Sequence, residues 1–345
     1  MGIGVLAGCG DGTASSSASS QGRATNTGTP SAAPQASSGS SADASVDIQE
    51  ATLFVFDTVV TMKCSCSPEL MSQAIERCQY FEQRFSRTIE GSDVWNINHA
   101  AGSAVQVAPE TADIISKALR YCEQSGGLFD ITIGAVTSLW DFKEGVKPDD
   151  AAIQEAVRHI GYQGVHVEGS TVRLDDPQAM IDLGGVAKGY IADDLAQLLR
   201  DGGCESGALN LGGNAYVIGA KLDGSKWNVG VQDPNGANQQ VIAKIACADA
   251  SVVTSGLYER EFTKDGVLYY HILDPKTGYP VETDLVSSSV FSESSLDGDA
   301  YATWMFLLGH DKALELLEST EGLEGLVIDS DGTIAMTKGA EFQLI

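Results

Sequence analysis

Apolar residues recur at helical spacing in six stretches of the chain. Within each stretch they fall three or four positions apart, so they share one face of an α-helix. The first stretch, for example, places Leu70, Ala74 and Phe81 on such a face. The pattern predicts helices over Pro68–Phe85, Glu110–Ser125, Asp149–Ile160, Val186–Leu199, Tyr301–Leu308 and Asp311–Ser319.

The remaining segments contain short β-branched and aromatic runs, which are typical of strands. A first strand is predicted from Ala51 to Met62, and a hairpin joins residues 165–167 to residues 171–174. Regular helices do not separate the strands that follow, so we expect an α+β fold with a mainly antiparallel sheet and packed helices. These later strands are predicted over Gly207–Leu211, Ala215–Ile218, Trp227–Val231, Val241–Ala246, Ser251–Thr254, Glu259–Phe262, Tyr269–Leu273 and Leu285–Phe291, with a last pair near the C-terminus.

The first residues differ in composition from the rest. Residues 1–9 end in Leu6-Ala7-Gly8-Cys9, which resembles a bacterial lipobox without a basic segment before it, and we interpret them as a truncated lipoprotein signal with Cys9 as the lipidated residue. Residues 10–48 are rich in Ser, Ala and Gly and predict a disordered tether, since they lack the apolar surface that folding requires. One large domain is expected over residues 49–345. The alternative is a disordered tail without an anchor.

The net charge and the cysteine pattern of the chain exclude some classes of function. The 345 residues carry a formal charge of −26, which excludes a basic surface for nucleic acid but does not exclude a nucleotide neutralised by a metal ion. No apolar run has the length of a membrane-spanning helix. Six cysteines beyond Cys9 are scattered without a CxxC pair, so cysteine ligation of a metal is not expected and no disulfide pairing follows.

A pair of glycines opens the predicted helix near Val186. Asp182 precedes Gly184 and Gly185, and Lys188 follows them. A helix entrance offers unpaired N–H groups and the positive end of the helix dipole, so a carboxylate, bare backbone and a cation here can hold a phosphorylated ligand or its metal. The alternative is that the glycines serve only to cap the helix.

Two further places carry candidate chemistry. Asp299 and Thr303 lie four residues apart on one helix face, and their oxygen atoms suit Mg²⁺, although Asp299 can also be an ordinary N-cap or first-turn acid. His271 closes a strand before the turn Asp274-Pro275-Lys276-Thr277-Gly278. It can act as a general base or be a hydrogen-bonded structural residue.

The order of these motifs resembles the ApbE family, the FAD:protein FMN transferases. The resemblance runs from about Ala51 to the C-terminus. The motifs that carry it are Phe129-Asp130-Ile131-Thr132-Ile133-Gly134, Asp182-Leu183-Gly184-Gly185-Val186-Ala187-Lys188-Gly189, Leu211-Gly212-Gly213, Thr254-Ser255-Gly256, His271-Ile272-Leu273-Asp274-Pro275-Lys276-Thr277-Gly278 and Asp299-Ala300-Tyr301-Ala302-Thr303.

This resemblance implies a Mg²⁺-dependent enzyme that takes FAD as substrate, transfers FMN to a threonine or serine hydroxyl of an acceptor redox protein and releases AMP. It implies metal ligands at Asp299, Thr303 and the backbone of Gly185, and catalytic roles for His271 and Asp182. It also implies lipid anchoring at the extracytoplasmic face of the cell membrane. The FAD contacts that it implies are Phe56, Thr88, Leu128, Phe129, Asp130, Asp182, Lys188 and Ile272.

The chain departs from the family pattern at three positions. Phe56-Asp57-Thr58 stands where the family has Met-Gly-Thr, Thr88 replaces a tyrosine, and Asn214 replaces an acid. The first two positions usually pack the flavin, so they bear on the balance between transfer to protein and transfer to water. The alternatives are therefore an FAD diphosphatase that yields FMN and AMP, and a flavin-binding lipoprotein without turnover.

Overall fold

The computed structural model describes residues 47–234 and 240–345, and Cys9 and most of the predicted tether lie outside these ranges. An eight-stranded sheet forms its centre. Every neighbouring pair of strands in this sheet is antiparallel, as the sequence predicted. In spatial order the strands are β1 (Ile48–Val55), β2 (Thr58–Ser65), β6 (Gly207–Leu211), β7 (Asn214–Ile218), β10 (Ala250–Gly256), β13 (Leu285–Ser292), β14 (Glu324–Asp329) and β15 (Ile334–Met336).

Three small antiparallel sheets surround the central one. They are β3 (Val105–Gln106) with β5 (Thr171–Leu174) and β4 (Val165–Glu168), β8 (Trp227–Gln232) with β9 (Val241–Cys247) and β16 (Gln343–Leu344), and β11 (Glu261–Lys264) with β12 (Val267–Tyr270). The helices are α1 (Pro68–Phe85), α2 (Asp93–Asn98), α3 (Pro109–Gln124), α4 (Gly134–Thr137), α5 (Asp150–Val157), α6 (Ala187–Asp201), α7 (Ser295–Leu308) and α8 (His310–Glu318).

Helices cover one face of the central sheet, and the β8–β9–β16 sheet covers the other. Helix α6 packs against α1 and α7, and its Ile191 and Leu195 are fully buried in the main core. Strand β7 is buried along its whole length because Tyr216 faces the helices while Val217 faces the small sheet. This burial on both faces explains why the strand is apolar without strict alternation. None of the helices in the described ranges combines the length and apolar character needed to cross a bilayer.

The first predicted strand is in fact a hairpin. Phe56 and Asp57 both have positive φ, 58° and 55°, and they form the two-residue turn between β1 and β2. Such a turn favours Asn-Gly or Asp-Gly, so Phe-Asp within a β-branched run gave no turn signal. The turn holds Phe56 in the left-handed region of φ, which costs conformational free energy for a bulky residue. The Phe56 N–H donates to Glu82 Oε1 at 3.0 Å.

Helix α7 begins six residues earlier than its periodicity predicted. Ser294 is its N-cap, and the Ser294 hydroxyl accepts from the backbone N–H of Asp297. Asp299 therefore lies in the second turn, and the alternative that it is an N-cap or first-turn acid is wrong. Residues 294–299 are Ser, Asp and Gly except for Leu296, a composition that is typical of a turn, so apolar periodicity did not mark the start of the helix.

Candidate active site

A cavity of about 500 Å³ opens between the helix layer and the loops after α3 and β12. All twelve candidate site residues in the described part of the chain line this cavity, although they come from six segments of the sequence. Their roles remain predictions; their proximity is a property of the fold. These residues are Phe56, Thr88, Leu128, Phe129, Asp130, Asp182, Gly185, Lys188, His271, Ile272, Asp299 and Thr303.

The entrance of α6 brings the glycine pair to the cavity. An ideal Cβ on Gly185 would lie 2.9 Å from the ring of Phe129 and 3.6 Å from Thr303 Oγ1, so only glycine fits there without movement of the ring. The Gly184 N–H donates to Asp182 Oδ1 at 2.9 Å. The expectation of a bare N–H at Gly184 is therefore wrong, because the preceding carboxylate already occupies it.

Asp299 and Lys188 form an ion pair at the cavity wall. Lys188 Nζ lies 3.2 Å from Asp299 Oδ1, and the other carboxylate oxygen accepts from the Gly189 N–H at 2.9 Å. The Asp299 side chain is only 3 % exposed, whereas that of Lys188 is 23 % exposed. Lys188 thus compensates a buried charge and still presents its ammonium group to the cavity. Thr303, one helical turn after Asp299, places its hydroxyl beside Gly185.

Asp182 is the centre of a second polar cluster. Its Oδ2 accepts from Thr137 Oγ1 at 2.7 Å and lies 3.2 Å from Arg87 Nε, while Oδ1 accepts from Gly184. Sequence reasoning missed Arg87 and Thr137, because neither stands in a motif near Asp182. The cluster fixes the Asp182 carboxylate and adds a second cation to the cavity lining.

The surroundings of His271 favour its neutral form. Burial, followed by the nearby cations Arg260 and Lys188, lowers its pKa to about 4. Its Nδ1 is buried and has no hydrogen-bond partner within the described residues. Glu259, which sequence reasoning also missed, lines the same cavity, and burial raises its pKa to about 7 despite the opposing charge of Lys188. Groups with pKa values moved in this way by burial are typical of functional sites.

Both oxygen atoms of the Asp130 carboxylate accept hydrogen bonds from nearby residues. Oδ1 accepts from both the N–H and the hydroxyl of Thr132, and Oδ2 accepts from the Tyr162 N–H. Burial raises the pKa of Asp130 against these bonds. Asp130 therefore shapes the loop that carries Leu128 and Phe129, and this is its evident structural contribution at the cavity.

The remaining predicted contacts form the apolar and exposed parts of the lining. Ile272 and Phe129 are each 6 % exposed, and Phe56 at the hairpin turn is partly buried against the main core. Thr88 is exposed, and its hydroxyl bonds that of Ser86 at 3.2 Å. Asn214, the third departure from the family pattern, is fully buried on β7 and does not line the cavity.

The antiparallel core is covered by helices, and its cavity combines apolar walls with a cation–carboxylate pair. This combination is typical of proteins that bind a charged ligand. The ApbE family model matches residues 56–327, and the chain belongs to this family. The FAD:protein FMN transferase of Treponema pallidum (strain Nichols) is 37 % identical over 279 residues, which cover 76 % of this chain and 77 % of the relative. That of Klebsiella pneumoniae (strain 342) is 34 % identical over 273 residues, covering 78 % and 84 %.

Solved structures agree with this assignment. The ApbE protein of Thermotoga maritima superposes with a TM-score of 0.78 at 32 % identity, covering 85 % of this chain and 97 % of the other. The apo form of the Pseudomonas stutzeri flavinyl transferase ApbE gives a TM-score of 0.74 at 26 % identity, covering 85 % and 95 %. The α+β fold expected from the strand pattern is thereby confirmed.

Proposed function

We propose that this protein is an FAD:protein FMN transferase, which takes FAD as substrate and attaches FMN to an acceptor flavoprotein. The name is that of its relatives from Treponema pallidum and Klebsiella pneumoniae. The observation on this chain that carries the proposal is the buried Asp299–Lys188 pair beside Thr303 and Gly185, in a cavity of about 500 Å³ with both apolar and charged walls.

The reaction makes one phosphoester bond and breaks one phosphoanhydride bond. The oxygen of an acceptor threonine or serine attacks the FMN phosphorus of FAD, and AMP leaves with the bonding electron pair on its phosphate oxygen. Such a transfer needs in-line positioning and charge neutralisation rather than covalent chemistry from the protein. Lys188 and Arg87 supply positive charge toward the diphosphate, and neutral His271 accepts the hydroxyl proton.

Mg²⁺ is part of this proposal. Within residues 47–234 and 240–345 no three His, Cys, Asp or Glu side chains cluster as a metal site. Mg²⁺ nevertheless needs few protein ligands, because it keeps waters and substrate phosphates in its shell. The Asp299 carboxylate, the Thr303 hydroxyl and the Gly185 carbonyl offer hard oxygen atoms, and they fit that chemistry. When bound, the ion would neutralise charge on the phosphates.

The proposal is tested by incubating the purified protein with FAD, Mg²⁺ and a threonine-bearing acceptor, followed by denaturing gel electrophoresis. We expect acceptor fluorescence that survives denaturation, and its loss in Asp299→Ala. Asp297→Asn is the matched control, because it changes a carboxylate in the same helix outside the cavity. Equal labelling by Asp299→Ala would refute the assigned role of Asp299. FMN and AMP released without labelled acceptor would indicate the diphosphatase instead, and bound intact FAD a non-catalytic flavin-binding protein.

Membrane anchoring is a separate proposal. Leu6-Ala7-Gly8-Cys9 and the Ser-rich residues 10–48 support a lipid anchor on Cys9 and a location at the extracytoplasmic face of the cell membrane. Mass spectrometry of the mature N-terminal peptide should show a diacylglyceryl group on Cys9, and Cys9→Ser should release the protein from membranes. An unmodified Cys9 in membrane-free protein would contradict the anchor.

A further inference from the structure

Three cysteines meet where β2 ends and the loop after α6 begins. Cys64 lies opposite Gly207 in the register of β2 and β6, and Cys204 lies three residues before Gly207. An ideal Cβ on Gly207 would be 3.1 Å from the sulfur of Cys64 and 3.4 Å from that of Cys204. The absent side chain of Gly207 therefore leaves a space into which both sulfur atoms project. The third member, Cys66, is at the strand end and 8 % exposed.

Hydrogen bonds position the Cys204 sulfur in this space. It lies 3.9 Å from Oγ of Ser65, the residue after Cys64, and it donates to Ser206 O at 3.4 Å. The backbone on either side is joined by the hydrogen bond from Ser65 N–H to Ser206 O at 2.8 Å. This bond joins the residue after Cys64 to the residue two positions after Cys204, so the backbone holds the two cysteines near each other in the folded chain.

The two thiols differ in pKa, and thiol–disulfide exchange depends on such a difference. The interaction with Cys64 lowers the pKa of Cys204, while the same interaction and burial raise the pKa of Cys64. Burial raises the pKa of Cys66 as well. Cys204 is therefore the more acidic thiol of the pair, and the thiolate is the nucleophile in exchange reactions.

We propose that Cys64 and Cys204 are a site of disulfide formation that fastens the C-terminal end of α6 to β2 when the chain meets a disulfide oxidant. The oxidant is a dithiol–disulfide oxidoreductase in its disulfide form. The Cys204 thiolate attacks one sulfur of that disulfide and releases the first oxidant thiolate. Cys64 then loses its proton and attacks Cys204, which releases the second oxidant thiolate, so two thiols of this chain are oxidised and one oxidant disulfide is reduced. This inference is independent of the proposed function.

A disulfide between Cys64 and Cys204 closes most of the first half of the domain into one covalent loop. The loop contains α1 to α6, including the segment that carries Asp182 and Lys188 to the cavity. Cross-links that close long loops restrict the unfolded chain most, so the oxidised protein should melt at a higher temperature than the reduced one, by about 5 °C or more.

The protein is produced once in a reducing cytosol and once by export into an oxidising compartment, denatured in excess N-ethylmaleimide, and analysed by peptide mass spectrometry without reduction. We expect a peptide linked through Cys64 and Cys204 only in exported protein, together with the higher melting temperature. Cys66→Ser and the control Cys247→Ser should keep both properties, and Cys204→Ser and Cys64→Ser should lose them. A bond through Cys66, or free thiols at Cys64 and Cys204 in folded exported protein, would overturn the inference.

Discussion

Replacing Lys188 by methionine leaves the buried negative charge of Asp299 without a counter-ion. Methionine keeps the apolar stem of the side chain. Removing one partner of a fully buried ion pair costs about 3–5 kcal/mol. Because the Lys188 side chain is 23 % exposed and Asp299 keeps the Gly189 N–H bond, we expect a loss of about 2–3 kcal/mol in the free energy of unfolding.

A double-mutant cycle separates this cost from lost packing. In the double variant Lys188→Met/Asp299→Asn the uncompensated charge is gone, so we expect a total loss about 1–2 kcal/mol smaller than the sum of the two single losses. Urea unfolding without FAD or Mg²⁺ gives all four free energies, and unchanged m-values confirm comparable unfolding transitions. Single losses that add to within about 0.5 kcal/mol would refute the argument that the two charges stabilise each other.

Three further predictions concern neighbouring residues. Gly189→Ala should lower the free energy of unfolding by about 3 kcal/mol or more in urea, because its Cβ would lie 2.2 Å from Ser295 O; a neutral result would contradict this packing. Gly185→Ala should keep the fold, measured by circular dichroism, but reduce flavin transfer at least about tenfold, because its Cβ presses on Phe129 at the cavity. The lowered pKa of His271 means that the unfolded chain binds its proton first as pH falls, so wild type should lose stability between about pH 6.5 and 4, and His271→Gln should lose less; parallel curves would contradict the burial of a neutral imidazole.

Local sequence patterns predicted the features that depend on neighbours in the chain. The helical face of residues 68–85 and the glycine-opened helix of residues 187–201 are found within one or two residues of their predicted bounds. The motif that includes Asp299 and Thr303 was recognised from its order among other motifs. The structure adds that Asp299 is inside α7, whose first turn has the Ser, Asp and Gly composition of a loop.

Features that depend on long-range packing were not predictable in this way. Arg87 reaches Asp182 across 95 positions of sequence. Glu259 follows β10 and lines the cavity because β10 packs against α7, which carries Asp299 and Thr303. Arg87 precedes Thr88 of the family pattern and Glu259 opens a predicted strand, but neither local pattern indicates that the side chain reaches the cavity. The turn at Phe56-Asp57 was hidden for a different reason, since its positive φ values are imposed by strand pairing and not by turn-forming residues.

The most direct test of the central claim is a product balance for the complete reaction. Protein, FAD, Mg²⁺ and a threonine-bearing acceptor are incubated together, AMP is measured by chromatography, and the acceptor is weighed by intact mass spectrometry. Transfer at the Asp299–Lys188 site predicts one AMP for each FMN phosphoester formed on the acceptor, and neither product with Asp299→Ala. Intact FAD and an unmodified acceptor in the presence of wild-type protein would contradict the account.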